Sequence, residues 1–164
     1  VMITSDAGNF YGWVARYLRF NEKLSYVGPT SGAMGYGMPA ALGVKLAQPN
    51  KTVISFSGDG GFMMTMQELE TAMRWNIPIL AIVVNNNMYG TIRMHQEREF
   101  PNRVIATELT NPDLGELARV FGVHGEKVER NADFVPALER ALAANKPALI
   151  EVKANPKILS AFQK

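Results

Sequence analysis

A single carboxylate lies between glycines in the sequence SFSGDGG, which covers residues 55–61 and follows the apolar run 52–54. The plainest explanation is a tight turn, because glycine and aspartate are common where the backbone reverses or takes positive φ. A second polar group, the three asparagines at 85–87, follows the apolar run 78–84. Carboxylate and amide oxygens are ligands of Mg²⁺. Asp59 and the asparagines could therefore hold one divalent ion, if the fold brings them together.

Short β-rich runs alternate with helical patterns along the chain, which predicts a single α/β domain over residues 1–164. We expect a doubly wound, mostly parallel sheet with helices on both faces. The predicted strands are Val1–Thr4, Thr52–Ser57, Pro78–Val84, Val123–Val128 and Ala148–Lys153, and the predicted helices are Tyr11–Phe20, Met38–Ala47, Thr65–Trp75 and Asp133–Ala144. Another helix is predicted to take Asn111 as its N-cap and Pro112 as its first residue, and to end at Gly122. Residues 25–37 and 85–110 are predicted to be loops, the second with a short helix.

This sheet would place the polar groups at one edge, because ligands of doubly wound folds bind outside the carboxyl ends of the strands. Adjacent strands are about 4.8 Å apart, and Mg²⁺ holds its ligands at about 2.1 Å. One ion can therefore bridge Asp59 and an asparagine amide oxygen. With a single carboxylate the ion keeps spare charge, so we expect a phosphate partner, which backbone N–H groups at Gly60 and Gly61 can approach at a helix start.

The composition excludes several other classes. The absence of GxxxxGK[ST] argues against a phosphate-loop ATPase or GTPase. A net charge of +2 gives no reason to expect binding to nucleic acid or to an anionic membrane. Without cysteine the chain has no disulfide, zinc-thiolate site or thiol catalysis. There is no apolar run of about 18 residues and no basic-then-apolar leader, so we expect no membrane association and a cytoplasmic location.

The motif Gly58-Asp59-Gly60, followed after 24 residues by Asn85-Asn86, resembles the GDG and NN motif of thiamine diphosphate enzymes. The 27-residue separation of Asp59 and Asn86 is typical of decarboxylases and acetohydroxyacid synthases in this family. The resemblance implies thiamine diphosphate and Mg²⁺, with the ion held by Asp59, Asn86 and the backbone carbonyl of Met88. It further implies cofactor-binding roles for the residues around these ligands: Gly58, Asp59, Gly60, Gly61, Asn86, Met88, Tyr89 and Gly90.

A second stretch, TSGAMGYGMPAALGVKLA at residues 30–47, is similar to the segment that holds the aminopyrimidine ring in acetohydroxyacid synthase-like members. By this resemblance the Gly32 carbonyl accepts a hydrogen bond from the 4′-amino group. Met34 would separate the two cofactor rings and bring the 4′-imino nitrogen close to the proton it removes, a proximity effect. Asn9, in the loop SDAGNF at residues 5–10, is a candidate diphosphate contact, although the loop is also a good helix-capping sequence.

The resemblance covers essentially the whole chain, which corresponds to the diphosphate-binding domain, the last of three in the usual enzyme. Because the chain begins with Val1 rather than Met, we expect a C-terminal fragment of a longer protein. The resemblance implies decarboxylation or carboligation of a 2-oxo acid or related carbonyl substrate, as in acetolactate synthase. It also implies a homodimer or homotetramer, since the glutamate beside the aminopyrimidine comes from the pyrimidine-binding domain of a second subunit. The chain alone is therefore expected to be inactive.

The sequence NMYGTIRMHQ, residues 87–96, departs from the glycine and Met-Val-x-Gln-Trp that acetohydroxyacid synthases usually have there. Other 2-oxo acid decarboxylases and carboligases fit about as well. His95, near the place of the tryptophan, is either a substrate-facing acid or base or, more simply, a helix-surface residue. Arg93, Arg98 and Arg103 form either a solvated basic loop or a site for a substrate carboxylate.

Two alternative functions remain open. The chain could be the natural small subunit of a split thiamine enzyme whose partner carries the glutamate. It could instead be a receiver-like phosphoacceptor domain that uses Asp59, Asp6 and Lys153. A receiver normally has an acidic pair after the first strand, whereas here only Asp6 is present.

Overall fold

The structure, a computed structural model, describes residues 1–20 and 25–161. Within these residues, six strands form one sheet in the order β2-β1-β3-β4-β6-β5, and every neighbouring pair is parallel. The strands are β1 (Met2–Ser5), β2 (Tyr26–Val27), β3 (Val53–Gly58), β4 (Leu80–Asn85), β5 (His124–Val128) and β6 (Ala148–Lys153). The predicted α/β class with a doubly wound parallel sheet is confirmed.

Seven helices are present in the described ranges, and they cover both faces of the sheet. They are α1 (Tyr11–Tyr17), α2 (Gly37–Ala47), α3 (Asp59–Thr65), α4 (Glu68–Arg74), α5 (Gly90–Glu99), α6 (Leu114–Val120) and α7 (Asn131–Ala143). No helix in this part of the chain is both long and apolar enough to cross a membrane.

The central strand β4 shows how the sheet divides the core. Successive side chains of a strand point to opposite faces. Leu80 and Ile82 accordingly pack in the cluster that contains Ala137 of α7. Ala81 and Val83 belong to the other cluster, which includes buried residues of α2, α3, α4 and α6. This strand is buried on both faces, which explains why its sequence is a continuous apolar run rather than an alternating one.

The strand register brings the predicted polar groups to the same edge. Gly58 at the end of β3 lies beside Val84 of β4, and Asn85 lies beside Lys153 of β6. The chain therefore leaves β3 at Asp59 and β4 at Asn86 from neighbouring positions. We call this part of the sheet, formed by the carboxyl ends of β1, β3, β4 and β6, the carboxyl edge.

Two predicted helix starts were wrong. The helix predicted to begin at Pro112, with Asn111 as its N-cap, begins at Leu114, because Asp113 is the N-cap and its Oδ1 accepts a hydrogen bond from the Glu116 N–H at 2.8 Å. The helix predicted over Thr65–Trp75 begins only at Glu68, as α4. A separate helix, α3, precedes it and ends at Thr65. In α3 the buried Phe62 anchors a turn of helix despite the two glycines before it.

Smaller differences concern element length. The first helix ends at Tyr17 instead of Phe20, and the predicted loop 25–37 contains the short strand β2, which pairs with β1. The short helix expected within 85–110 is α5, with ten residues. Such shifts at element ends are common, because terminal residues make fewer hydrogen bonds.

Candidate functional site

A cavity of about 720 Å³ lies at the carboxyl edge, and it is lined by the loops that follow β1, β3, β4 and β6. All the site residues predicted from the sequence line it, namely Asn9, Gly32, Met34, Gly58, Asp59, Gly60, Gly61, Asn86, Met88, Tyr89 and Gly90. The fold thus brings together residues that are up to 81 positions apart in the chain. Their individual roles toward a cofactor or metal stay predictions.

Asp59 is the acidic centre of this cavity. It is the first residue of α3 and only 2% exposed. Its Oδ2 accepts a hydrogen bond from Asn111 Nδ2 at 2.6 Å. Burial raises the pKa of the Asp59 carboxyl, while the hydrogen bonds from Asn111 and from the backbone of Gly60 and Asn87 act in the opposite direction. A buried carboxylate of this kind is costly without a cation, so its position favours a divalent ion as a partner.

The chain after β4 forms a tight turn at residues 85–88, which we call the asparagine turn. Asn85 Oδ1 accepts a hydrogen bond from the Asn87 N–H at 3.0 Å, and Asn86 Oδ1 accepts one from the Met88 N–H at 3.3 Å. Asn87 takes φ of 57°, which asparagine tolerates better than most residues. These side-chain-to-backbone bonds are typical of Asx turns. They place Asn86 and Met88 on the wall of the same cavity as Asp59.

Two glycines at the start of α3 face this turn and the first loop. A Cβ on Gly60 would overlap the ring of Tyr89, and a Cβ on Gly61 would overlap Asp6 Oδ2. Both positions are therefore restricted to glycine by close packing. The result is a helix start without side chains beside one carboxylate and one amide. Oxygen ligands beside a backbone without side chains fit an oxygen-seeking ion and the diphosphate that it binds.

The loop before α2 reaches the other side of the cavity. Gly32 and Gly35 both take positive φ, 68° and 77°, which glycine adopts without steric cost. A Cβ on Gly35 would also lie only 3.2 Å from Met64 Cβ. Between these two bends, the half-buried Met34 lines the cavity. The loop geometry is compatible with the predicted role of Met34 beside a flat ring system.

Asn9 has protein partners for the groups that were expected to face a diphosphate. Its Nδ2 donates to the Leu159 carbonyl at 2.7 Å and lies 3.4 Å from Met94 Sδ, while its backbone N–H donates to Thr91 Oγ1 at 2.9 Å. In this structure Asn9 ties the first loop to α5 and to the segment after β6. Its contact with a diphosphate stays a prediction.

Asp6, which the receiver-like alternative needed beside Asp59, is used differently. It is 1% exposed, and its Oδ1 accepts a hydrogen bond from the Gly37 N–H at the start of α2. Burial raises the pKa of the Asp6 carboxyl against the lowering effect of its backbone hydrogen bonds. Lys153 lies 3.7 Å from the buried Glu151. Asp6 is thus bonded to the start of α2, and Lys153 lies beside a carboxylate of its own strand, β6.

His95 and the three arginines lie outside the cavity lining. His95 is exposed on α5 with Nδ1 2.9 Å from an Arg98 nitrogen. Arg93 is paired with Glu97 at 2.6 Å. These placements favour the helix-surface interpretation of His95 and the solvated interpretation of Arg98 and Arg103, whereas Arg93 is half-buried beside Glu97 and Glu108.

Sequence reasoning missed two residues of the site. Asn111, predicted to be a helix N-cap, donates instead to Asp59, and the buried Glu151 accepts from Asn85 Nδ2 at 2.7 Å. A signal for Asn111 was present, because the D-x-x-E pattern of Asp113 and Glu116 is itself a capping sequence and leaves Asn111 outside the helix. Glu151 had no such signal in the strand sequence ALIEVK.

The described residues contain no cluster of three His, Cys, Asp or Glu side chains that could hold a metal ion. The metal ligands predicted here do not require such a cluster, because Asp59 is the one acidic side chain among them. Its companions are an amide oxygen and a backbone carbonyl, both of which Mg²⁺ accepts.

Comparisons with known proteins agree with this geometry. Residues 6–152 match the family described as "Thiamine pyrophosphate enzyme, C-terminal TPP binding domain". The chain is 37% identical over 153 residues to the acetolactate synthase isozyme 2 large subunit of Escherichia coli (strain K12), which covers 92% of this chain and 28% of that protein. It is 36% identical over 143 residues to a sulfoacetaldehyde acetyltransferase of Alcaligenes xylosoxydans xylosoxydans, with 87% and 24% covered.

A solved structure is also similar, that of the thiamine diphosphate-dependent 4-hydroxybenzoylformate decarboxylase of Rhodococcus jostii RHA1. The TM-score is 0.88 at 32% sequence identity, and the match covers 94% of this chain and 29% of that one. The chain therefore spans about a quarter of the length of the curated relatives it matches.

Proposed function

The chain belongs to the family of thiamine pyrophosphate enzymes, as their C-terminal TPP-binding domain, and we propose that it holds the Mg²⁺-diphosphate end of thiamine diphosphate in a 2-oxo acid decarboxylase or carboligase. The observation that carries the proposal is the meeting of Asp59 with the asparagine turn on the wall of one cavity. Family membership supplies the cofactor class, and the residues on this wall supply oxygen ligands for the ion.

In this proposal each wall of the cavity has a different task. Asp59, Asn86 and the Met88 carbonyl hold the ion, while Gly60 and Gly61 line the part of the cavity that takes the phosphate oxygens. The Met88 carbonyl already accepts a hydrogen bond from the Gly90 N–H at 2.9 Å, and a carbonyl oxygen has a second lone pair for an ion. Tyr89, packed against Gly60, closes the wall between these two groups.

The opposite wall positions the reacting end. Thiamine diphosphate, when bound, supplies a carbon nucleophile and an electron sink for carbonyl chemistry. The Gly32 carbonyl is proposed to orient the aminopyrimidine, and Met34 to keep the rings apart. A methionine suits this task because its side chain is apolar and adapts its shape.

The proposal places the chain within a longer polypeptide, since its relatives extend well beyond the matched part. The glutamate expected beside the aminopyrimidine would come from another domain of a second subunit, in a homodimer or homotetramer. The 164 residues alone would then be inactive. The proposed location of the protein is the cytoplasm. A natural small subunit of a split enzyme would have the same incomplete site.

The substrate is proposed at the level of a class, a 2-oxo acid or related carbonyl compound. The named relatives include an acetolactate synthase, an acetyltransferase and a decarboxylase. The cavity wall on α5 carries Thr91 and Ile92, which follow Gly90 where the acetohydroxyacid synthase pattern has Met and Val. This wall is where the chain departs from the acetohydroxyacid synthase pattern, so the substrate preference is expected to differ there.

Calorimetric titration of the full-length protein with thiamine diphosphate, with and without Mg²⁺, tests the proposal. We expect saturable binding that requires Mg²⁺ and that is abolished by Asp59→Ala. The matched control is Asp133→Ala, which removes a half-exposed carboxylate of α7 that pairs with Arg130 and lies outside the cavity lining. Equal binding by wild type and Asp59→Ala would contradict the metal assignment.

A further inference from the structure

Asn111 makes more polar contacts around Asp59 than its half-buried position on a loop would suggest. Its Nδ2 lies 2.6 Å from Asp59 Oδ2, 3.2 Å from Asn85 Oδ1 and 3.2 Å from Asn87 Oδ1. The side chain thus joins Asp59 of α3 to the two residues that flank Asn86 in the asparagine turn. An amide nitrogen carries two hydrogens, so the three acceptors compete for them. The shortest contact is the one with the carboxylate, as expected for a charge-assisted hydrogen bond.

The surrounding oxygens fix which way the Asn111 amide points. If the amide were rotated by half a turn, its own oxygen would face the Asp59 carboxylate and two amide oxygens. All four groups would then be acceptors, which is strongly unfavourable in a buried site. The donor orientation therefore follows from the contacts alone. Because the bond goes to Oδ2, this amide does not use the second carboxylate oxygen of Asp59.

The backbone on both sides of Asn111 is anchored. Before it, Leu109 N–H donates to the Asn87 carbonyl at 2.9 Å, and a β-bridge joins Glu108 to Met88. After it, Asp113 caps α6, and the Leu114 N–H donates to Glu151 Oε2 at 2.8 Å. Asn111 is therefore a fixed donor. A carboxylate that receives a bond from a fixed donor has fewer rotamers available.

Glu151 connects this anchor to the asparagine turn. Its two carboxylate oxygens accept from Asn85 Nδ2 at 2.7 Å and from the Leu114 N–H at 2.8 Å. The start of α6 and the end of β4 are thereby held at the same buried side chain of β6. Asn111 contacts both Asn85 and the Asp59 carboxylate, so it acts from a frame that is set by two strands, β4 and β6, and one helix, α6.

We propose that Asn111 is a positioning residue for the divalent ion, which orients the Asp59 carboxylate and holds the asparagine turn against it. This inference rests on the proposed function of the cavity. Asn111 does not contact the ion itself. It fixes one carboxylate oxygen, so that the other oxygen and the Asn86 amide are aligned before the ion arrives. Donors in this outer position commonly matter for metal affinity, because they orient the ligands that touch the metal.

The test measures the apparent Kd of the full-length protein for Mn²⁺ at one fixed concentration of thiamine diphosphate, from the electron paramagnetic resonance signal of free Mn²⁺. Asn111→Leu keeps the branched shape of the side chain and removes the donor, and Asn111→Ser shortens the side chain. We expect both to raise the Kd for Mn²⁺ about 10- to 100-fold, the range for lost outer-shell partners. Thr110→Ala, at the exposed neighbouring position, is the control and should bind as wild type does.

Each outcome decides between the proposals. A wild-type Kd in either folded variant overturns the role of Asn111, even if that variant unfolds at a lower temperature, because a purely structural residue changes stability without changing affinity. Failure of both variants to fold, judged by circular dichroism, also overturns it in favour of a structural role. If wild type itself binds no Mn²⁺, the proposed function fails, and the role of Asn111 fails with it.

Discussion

The carboxyl edge and the contact between α6 and β5 both depend on glycine, but for different reasons. At the carboxyl edge, Gly60 and Gly61 lie beside a cavity, and the atoms that a Cβ would overlap belong to the side chains of Tyr89 and Asp6. At the other contact, a Cβ on Gly125 of β5 would overlap the backbone carbonyl of Gly115 in α6. The first pair leaves room for the side chains that pack beside the cavity, and the second leaves room for the backbone itself.

The two regions also differ in what they bury. The carboxyl edge buries polar groups, including Asp6, Asp59 and Asn85, each at 2% exposure or less. The α6 to β5 contact buries apolar residues such as Ala118 and Val123 and keeps its charged residues at the surface. Buried polar groups reduce stability unless they are fully paired. Substitutions at the two regions should therefore separate stability from ligand binding.

The largest expected loss of stability comes from Gly125→Ala. The new methyl group meets backbone that cannot move without displacing α6, and overpacking of this kind costs about 1–3 kcal/mol. We expect the local free energy of opening of α6 and β5 to fall by about 3 kcal/mol, at the upper end of that range. Hydrogen exchange of peptides from these two elements in the full-length protein measures it.

Gly43→Ala is the matched control for this change. Gly43 is exposed in the middle of α2, and a Cβ there meets nothing within 4 Å. Alanine should stabilise the helix by about 0.5–1 kcal/mol, because glycine loses more backbone entropy on folding. Equal effects of the two substitutions would contradict the distinction between close backbone packing and open space.

Glu151→Gln should reduce stability by an intermediate amount, both at the carboxyl edge and at the start of α6. One of its two oxygens becomes an NH₂ group, which then faces either the Asn85 amide or the Leu114 N–H, both donors. Loss of a buried hydrogen bond with an unsatisfied donor costs about 1–3 kcal/mol. We expect faster hydrogen exchange at the end of β4 together with weaker Mg²⁺ binding. Glu139→Gln, an exposed change on α7, should alter neither.

Much of the fold was predictable because it follows from local patterns. The apolar run of β4 and the alternation of strands and helices required no knowledge of distant contacts. The start of α6 was mistaken because Asn111-Pro112 and Asp113 are both good capping sequences, and the choice between them depends on Asp59, which lies 52 residues earlier. A local pattern cannot contain that contact.

The candidate site was predictable to the extent that its residues follow strand ends. Asp59, Asn86 and Met88 were identified as a set by the resemblance to thiamine diphosphate enzymes, and the structure places all three in the lining of one cavity. Their supports were not identified. Glu151 lies within an otherwise apolar strand, and its burial depends on two donors that the fold brings from β4 and α6.

The smallest expected effect is a pH dependence at Asp6. Its folded pKa is raised by burial above the ordinary value of 3.8, so the folded state binds more protons than the unfolded state between these two values. Stability from this group is therefore present below about pH 3.8 and is lost as pH rises through the folded pKa. Asp6→Asn keeps an acceptor for the Gly37 N–H but cannot ionise.

The stability of Asp6→Asn relative to wild type should accordingly increase as pH rises from 3 toward neutrality. Thermal unfolding midpoints of both proteins across this range measure the difference in stability. The contributions of the other carboxylates largely cancel, because both proteins contain them. A difference that stays constant with pH would show that the Asp6 pKa is not raised in the folded protein.

The central claim is that Asp59 and Asn86 bind the same divalent ion. Anomalous diffraction from crystals of the full-length protein with Mn²⁺ and thiamine diphosphate tests it most directly. We predict one anomalous peak in the cavity, in contact with an Asp59 carboxylate oxygen, Asn86 Oδ1 and the Met88 carbonyl, at distances of about 2.0–2.3 Å. A peak elsewhere, or one that touches Asp59 without Asn86, would contradict the account.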